Sequence, residues 1–177
     1  HATSAWIAQE MLEGDGPPVV TTLHGTDITL VGLRPSFQPI TRFSIMRSNG
    51  ITAVSSFLKN ETVRDFGVPP DRIEVIPNFI DTDVYVPGRE PCHRSSLAEE
   101  GEKILMHVSN FRPVKRVQDI VEVFARVSKQ LPARLIMIGD GPERPRALER
   151  AQALGVEDRV VFLGKHASVE ELLPCAD

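Results

Sequence analysis

Short apolar runs alternate along the chain with segments whose apolar residues recur at helical spacing. The runs at 18–23, 51–54, 73–76, 104–108, 133–138 and 159–163 are rich in Val, Ile and Leu and read as strands. Between them lie helical patterns. One carries Ala5, Trp6, Ile7, Ala8, Met11 and Leu12, and a second runs from Phe37 through Ile40, Phe43 and Ile45. A third has Phe57, Leu58, Val63 and Phe66, with Ser55 or Ser56 as its cap and Gly67 as its stop. A fourth places Val117, Ile120, Val121, Phe124 and Val127 on one face, and a fifth carries Ala147, Leu148, Ala151 and Leu154 before Gly155. Ser168 is the expected cap of a last helix. Strands buried on both sides and separated by helices predict parallel sheets in an α/β fold.

The alternation breaks once. Between Asp81 and Glu102 the chain is charged, poor in apolar runs and punctuated by Pro87, Gly88, Pro91 and Gly101. This predicts two α/β units joined by a linker: residues 1–84, a linker at 85–102, and residues 103–177. No Met opens the sequence, and a helical pattern is already under way at Ser4. The expectation is an internal part of a longer protein, with each sheet only partly represented and no activity in isolation.

Bulk numbers narrow the chemistry. Of 177 residues, 41% are hydrophobic and 25% charged, as in ordinary globular proteins, and the net charge of -4 leaves no overall basic surface for nucleic acid. No apolar run approaches the ~20 residues of a membrane span. The two cysteines, Cys92 and Cys175, lie far apart and outside any CxxC spacing, which argues for neither zinc nor a disulfide and fits a reducing cytoplasm.

The chemistry that remains is local and sits where strands end. After the run at 104–108 comes Ser109-Asn110-Phe111-Arg112-Pro113-Val114-Lys115-Arg116, leading into the fourth helix. Two cations, Arg112 and Lys115, thus stand at the carboxyl end of a parallel strand beside a helix start. Ligands of open α/β sheets bind at that edge, and phosphates favour helix N-termini and cations; the plain alternative is two solvated charges. His24-Gly25-Thr26-Asp27 also closes a strand, and suits either a hydroxyl-binding histidine or a capped turn. Asn78 follows another strand as a ligand contact or a turn former. Gly139-Asp140-Gly141-Pro142-Glu143 lacks GxGxxG spacing and fits a tight strand-to-helix turn as well as an anion loop. Gly164-Lys165-His166 ends the last strand, with Lys165 read as a solvated side chain. His107, inside an apolar strand, reads as a satisfied core histidine. No His/Cys cluster has metal-ligand spacing, and no Ser-His-Asp order appears.

Taken in order, His24-Gly25-Thr26-Asp27, Thr52-Ala53-Val54-Ser55, Val75 to Asp81, Ser109 to Lys115, Gly139 to Glu143 and Val161 to Gly164 resemble the family 4 retaining glycosyltransferases. The resemblance covers nearly the whole chain. It implies the GT-B fold, two Rossmann-like domains, here each only partly present: an acceptor-side domain at 1–84 and a nucleotide-sugar domain at 103–177. The segments 21–29 and 107–117 are most similar to family members that transfer N-acetylglucosamine from UDP-N-acetylglucosamine to L-malate in bacillithiol biosynthesis. The resemblance implies that the family's N-terminal Gly-rich loop precedes His1 and that its donor-gripping Glu-x7-Glu motif follows Asp177.

The resemblance implies His24, Arg112 and Lys115 as catalytic residues. It implies Ser109, Asn110, Arg112, Lys115, Glu143, Lys165 and His166 as donor contacts; because malate is a dianion that calls for a cation, Arg42, with Thr22 and Asn78 as hydrogen-bonding neighbours, is the expected acceptor contact. Arg42 is the expected cation for a malate carboxylate. The UDP-sugar enters as substrate; no cofactor and no metal are expected, because Arg112 and Lys115 carry the positive charge. The expected partners are the two substrates, with no nucleic acid and no membrane span; homo-oligomerisation is left open. The alternatives are another family 4 transferase with a different donor or acceptor, or a non-catalytic nucleotide-sugar-binding module.

Overall fold

A computed structural model describes residues 2–13, 15–26, 28–29, 32–86 and 92–177. Asp27 of the His24 motif, Pro87, Gly88 and Pro91 of the predicted linker, and His1 lie outside the described residues. The chain divides into two compact units, His1–Phe79 and Ile80–Asp177.

In the first unit, α1 (Ala2–Met11), β1 (Val20–Leu23), α2 (Gln38–Arg47), β2 (Gly50–Ala53), α3 (Ser56–Phe66) and β3 (Ile73–Val75) follow one another. The strands form a parallel sheet in the order β1-β2-β3, with Thr21 opposite Ile51 and Ile51 opposite Ile73. Alternate residues Leu23, Ile51, Ala53 and Ile73 turn to the core and meet Ile45, Leu58, Phe66 and Val68. The ends of α3 follow from its sequence. Ser55 Oγ accepts the Leu58 N–H at 3.2 Å, and Gly67 takes φ +62° to close the helix on the Val63 carbonyl. The last carbonyls of α2 are covered from outside: Arg72 donates to the Met46 and Ser48 carbonyls at 3.2 and 2.7 Å. α1 buries no residue fully and holds α2 through an edge-to-face contact of Trp6 with Phe43, whose rings both face the Arg47 guanidinium.

The second unit contains β4 (Lys103–Val108), α4 (Val117–Val127), β5 (Ala133–Ile138), α5 (Arg144–Ala153) and β6 (Val160–Gly164), with a parallel sheet in the order β4-β5-β6. One face of the sheet, with Leu105, Leu135, Met137 and Phe162, packs on Val117, Val121, Phe124 and Ala125 of α4 and Ala147 and Ala151 of α5. The other face, with Ile104, Met106, Ile136 and Ile138, is covered by Leu97, Ala98, Val169, Leu172 and Cys175. Residues 92–98, inside the predicted linker, are therefore part of this unit's packing.

Two expectations change here. Cys92 and Cys175 form a disulfide, with Cα atoms 5.6 Å apart, because the covering segments at 92–98 and 169–175 meet on that face of the sheet. The pairing removes the cysteine argument for a reducing compartment. Beyond β6 there is no α-helix capped by Ser168. Two single 3-10 turns, Val169–Glu171 and Leu173–Cys175, stand there, with no cap bond from Ser168. Pro174 lacks an N–H and interrupts any longer helix.

A clasp holds the same segments. Arg94 donates to the carbonyls of Cys175 and Glu102 at 2.7 and 2.6 Å and pairs with Asp177 at 2.7 Å. Asp177 also accepts the Ile104 N–H at 2.8 Å and a bond from Lys103 at 2.8 Å. Those three donors, the backbone N–H first, hold its carboxyl well below the usual carboxylate range.

The tightest approach in the unit lies between the loop after β5 and the corner after β4. A Cβ added to Gly139 (φ +121°) would stand 1.8 Å from the Ser109 carbonyl oxygen, and one added to Gly141 (φ +159°) 2.2 Å from that of Asn110. Gly155 (φ +65°) has open space around it. Gly139→Ala is expected to destabilise the second unit by at least about 2 kcal/mol, from clash and backbone strain together, and Gly155→Ala by about 1 kcal/mol, from the left-handed conformation alone. Urea titration followed by circular dichroism measures both; a smaller loss at Gly139 than at Gly155 contradicts the packing described.

Candidate functional site

The carboxyl ends of β4, β5 and β6 open together at one edge of the second sheet. The Ser109 N–H donates to the Ile138 carbonyl at 3.0 Å and the Gly139 N–H to the Gly164 carbonyl at 2.7 Å, so the three strand-end loops are tied side by side. Ser109, Asn110, Arg112, Lys115, Lys165 and His166 all belong to this edge.

The corner after β4 is sharply shaped. Phe111 adopts φ +35° and is wholly buried, which turns the chain out of the strand. Arg112 is extended, 113–115 form one 3-10 turn, and Arg116 at φ +50° starts α4. No side chain caps the first N–H groups of α4, and the carboxylate in its first turn, that of Asp119, pairs with Arg116. Arg112 and Lys115 are exposed, and among the described residues neither is paired with a carboxylate. Three neighbouring arginines behave otherwise: Arg116 pairs with Asp119, Arg146 with Glu143 and Arg150 with Glu122, while Arg144 lies over the Phe162 ring. Two unneutralised cations ahead of an uncapped helix make a local seat for an anion on a chain of net negative charge.

Behind them stands His107. Its Nε2 lies 2.8 Å from Ser109 Oγ, which also accepts the Phe111 N–H at 3.3 Å. The ring is half-buried and stacks on Phe111. Burial, and then the charge of Lys115, push its pKa below the ordinary histidine value. This differs from a satisfied core histidine: the residue borders the anion seat.

In the loop 139–143 three backbone N–H groups are already engaged within the protein. The N–H of Gly139 is bonded to Gly164, that of Gly141 to the Asp140 side chain at 2.9 Å, and that of Glu143 to the Phe111 carbonyl at 3.0 Å. Its glycines serve close packing. Glu143, expected as a donor contact, is buried, and its carboxylate accepts from Gln118 at 3.2 Å and Arg146 at 2.9 Å, tying α5 to α4. Lys165 and His166 are exposed after β6.

In the first unit a cavity of about 560 Å³ lies between α1, α2 and β1. Thr3, Thr21, Thr22, His24, Thr41 and Ser44 supply its polar lining, and its apolar walls include Leu23, Ile28, Ile40 and Ile45. His24 is exposed after β1, ahead of a turn in which Ile28 and Thr29 bond back to the Gly25 carbonyl at 2.8 Å. Thr22 accepts from Thr52 at 2.9 Å. Arg42 is not in this cavity. Gln38 and Arg42, one helical turn apart, face the end of α3 and donate to the Asp65 and Phe66 carbonyls at 3.2 and 2.8 Å. Arg42 lines a separate depression with Gln38, Phe43, Met46 and Arg47. Thr41 faces the cavity and Arg42 does not because successive helical residues are turned by about 100°. The expected grouping of Arg42 with Thr22 is thus not what the fold brings together. Asn78 is exposed in the extended segment after β3.

Among the described residues no group of three His, Cys, Asp or Glu side chains is placed to hold a metal ion. Nor, among them, is any helix long and apolar enough to cross a membrane.

Comparison with known proteins follows the two units. The pattern of glycosyltransferase family 4 matches residues 1–84, and that of glycosyl transferases group 1 matches residues 89–177. Over 178 aligned residues the chain is 45% identical to the N-acetyl-alpha-D-glucosaminyl L-malate synthase of Bacillus anthracis, covering 100% of this chain and 46% of that protein. It is 37% identical over 185 residues to the alpha-monoglucosyldiacylglycerol synthase of Streptococcus pneumoniae, covering 95% of this chain and 40% of that one. The solved structure of Anabaena HepE in complex with UDP and glucose superposes with a TM-score of 0.82 at 20% identity, over 99% of this chain and 48% of that one, a likeness of fold. The chain thus spans about half the length of the relatives it matches.

Glu143 gives a test that separates scaffold from ligand contact. Glu143→Ala strands Gln118 and is expected to destabilise the second unit by about 1–3 kcal/mol, while UDP affinity, measured by calorimetry at a temperature where the variant is folded, stays within about twofold of wild type. A large loss of UDP affinity with unchanged stability contradicts the scaffold role.

Proposed function

This chain belongs to the glycosyl transferases of group 1, with a glycosyltransferase family 4 segment ahead of them, and from that premise we propose that its protein is a retaining glycosyltransferase moving N-acetylglucosamine from UDP-N-acetylglucosamine to the hydroxyl of L-malate. The observation that carries the reading is the pair Arg112 and Lys115, exposed and without carboxylate partners, between the end of β4 and an uncapped α4. The donor and acceptor identities are supported by the 45% identity to the malate synthase.

The chemistry follows from where charge grows. As the donor's C1–O bond breaks, its electron pair goes to the β-phosphate oxygen and C1 becomes oxocarbenium-like. Arg112 and Lys115, held by the 3-10 turn and the buried Phe111, neutralise that growing negative charge. The acceptor hydroxyl attacks C1 from the face the phosphate leaves, and its proton passes to the departing β-phosphate oxygen, so UDP and a glycoside of retained configuration result. Ser109 and the uncapped N–H groups of α4 add hydrogen bonds to the phosphates, with Asn110, Lys165 and His166 placed on the same edge for the rest of the donor. His24, with Thr22 at the rim of the first unit's cavity, orients hydroxyls. Asn78 is retained as an acceptor contact on its place after β3.

One observation favours a second acceptor. Among the described residues that line the cavity of Thr22 and His24 there is no Lys or Arg, whereas malate is a dianion. A neutral hydroxyl acceptor suits that lining better, within the same enzyme class. Mass spectrometry of products from the natural gene product, given UDP-N-acetylglucosamine with L-malate or with neutral polyols, decides between them.

In that protein Arg112→Ala and Lys115→Ala are each expected to lower kcat/KM at least about tenfold, or roughly 1.4 kcal/mol. Folded variants with wild-type kinetics remove the claim. With the cations in this role, EDTA is expected to leave the rate unchanged; a loss restored by Mg²⁺ or Mn²⁺ contradicts it.

A further inference from the structure

We propose that His107 is a positioning residue for the nucleotide diphosphate, fixing the Ser109 hydroxyl so that its hydrogen points to a bound phosphate oxygen. The inference rests on the reading of the corner after β4 as the diphosphate seat.

Ser109 Oγ has one hydrogen and two lone pairs. The Phe111 N–H, at 3.3 Å, takes one lone pair. His107 Nε2, at 2.8 Å, meets the same oxygen. If Nε2 carries the ring proton, it donates into the second lone pair and leaves the hydroxyl hydrogen for an outside acceptor. If Nε2 is bare, the hydroxyl donates to the ring, and a phosphate oxygen then meets only a lone pair. The tautomer of His107 therefore decides whether Ser109 helps or opposes an anion.

The surroundings hold the ring for this task. It stacks on the buried Phe111 with centroids 6.1 Å apart and planes at 23°, and Phe111 is braced edge-on by Phe162 at 6.3 Å. Burial and the Lys115 charge favour the neutral ring, so a single proton is shared between its two nitrogens. A bound diphosphate that accepts the Ser109 hydrogen selects the Nε2–H form.

The test uses UDP and the natural gene product. His107→Phe keeps the aromatic stack and removes the N–H. It is expected to weaken UDP binding on the order of tenfold by calorimetry, as is Ser109→Ala. The double variant is expected to bind no more than about twofold more weakly than Ser109→Ala, because both changes remove one device. His107→Gln, which restores an N–H donor, recovers most of the affinity. Losses that add in the double variant, or wild-type affinity in His107→Phe while Ser109→Ala and Lys115→Ala are weakened, overturn the positioning role. Wild-type affinity in both Ser109→Ala and Lys115→Ala overturns it by removing its premise. Independently of any substitution, ¹⁵N NMR of the His107 ring is expected to show the Nε2–H tautomer with UDP bound; the Nδ1–H tautomer in that complex overturns the proposal.

Discussion

The second unit depends on backbone meeting backbone where β4 and β5 end. Gly139 and Gly141 bring their Cα atoms against the carbonyls of Ser109 and Asn110 with no room for a side chain. That contact fixes the corner after β4. Phe111 is driven into the core at a positive φ, its carbonyl accepts the Glu143 N–H, and the chain leaves the strand as a single 3-10 turn before α4. The places of Arg112 and Lys115 are consequences of that packing. The glycines that resemble a phosphate loop pack on the backbone of the corner that holds the cations.

Electrostatics then distinguishes the corner from the rest of the surface. The chain is net acidic, and most of its arginines near the site are neutralised by a carboxylate within the scaffold. Buried Glu143 draws Arg146 and Gln118 to the α4–α5 contact, away from the strand ends. Arg112 and Lys115 remain without a carboxylate partner among the described residues, as does Lys165 after β6. Charges and N–H groups whose positions are fixed before binding are the kind that help a reaction that builds negative charge.

Much of this was readable from local pattern. The apolar spacing of α4, the Ser55 cap and Gly67 stop of α3 and the six strand runs are short-range signals, and short-range physics dictates them. The Arg112 and Lys115 corner was readable for the same reason: it is the junction of two such signals. What failed to show depended on distant chain. Cys92 and Cys175 are joined across 83 residues because two covering segments meet on one face of a sheet. Arg42 caps the end of α3, and its direction is set by which face of α2 packs where, a fact that spacing along α2 leaves open. Glu143 takes partners from α4 and α5. His107 was visible as a strand residue; its bond to Ser109 required the turn after the strand to be known.

The central claim is that this corner seats the diphosphate of a UDP-sugar. The most direct measurement is a crystal structure of the natural gene product with UDP. The account predicts the β-phosphate within hydrogen-bonding distance, about 3 Å, of the Arg112 guanidinium and Lys115 Nζ, with Ser109 Oγ beside it. A β-phosphate bound elsewhere, with Arg112 and Lys115 still facing solvent, contradicts it.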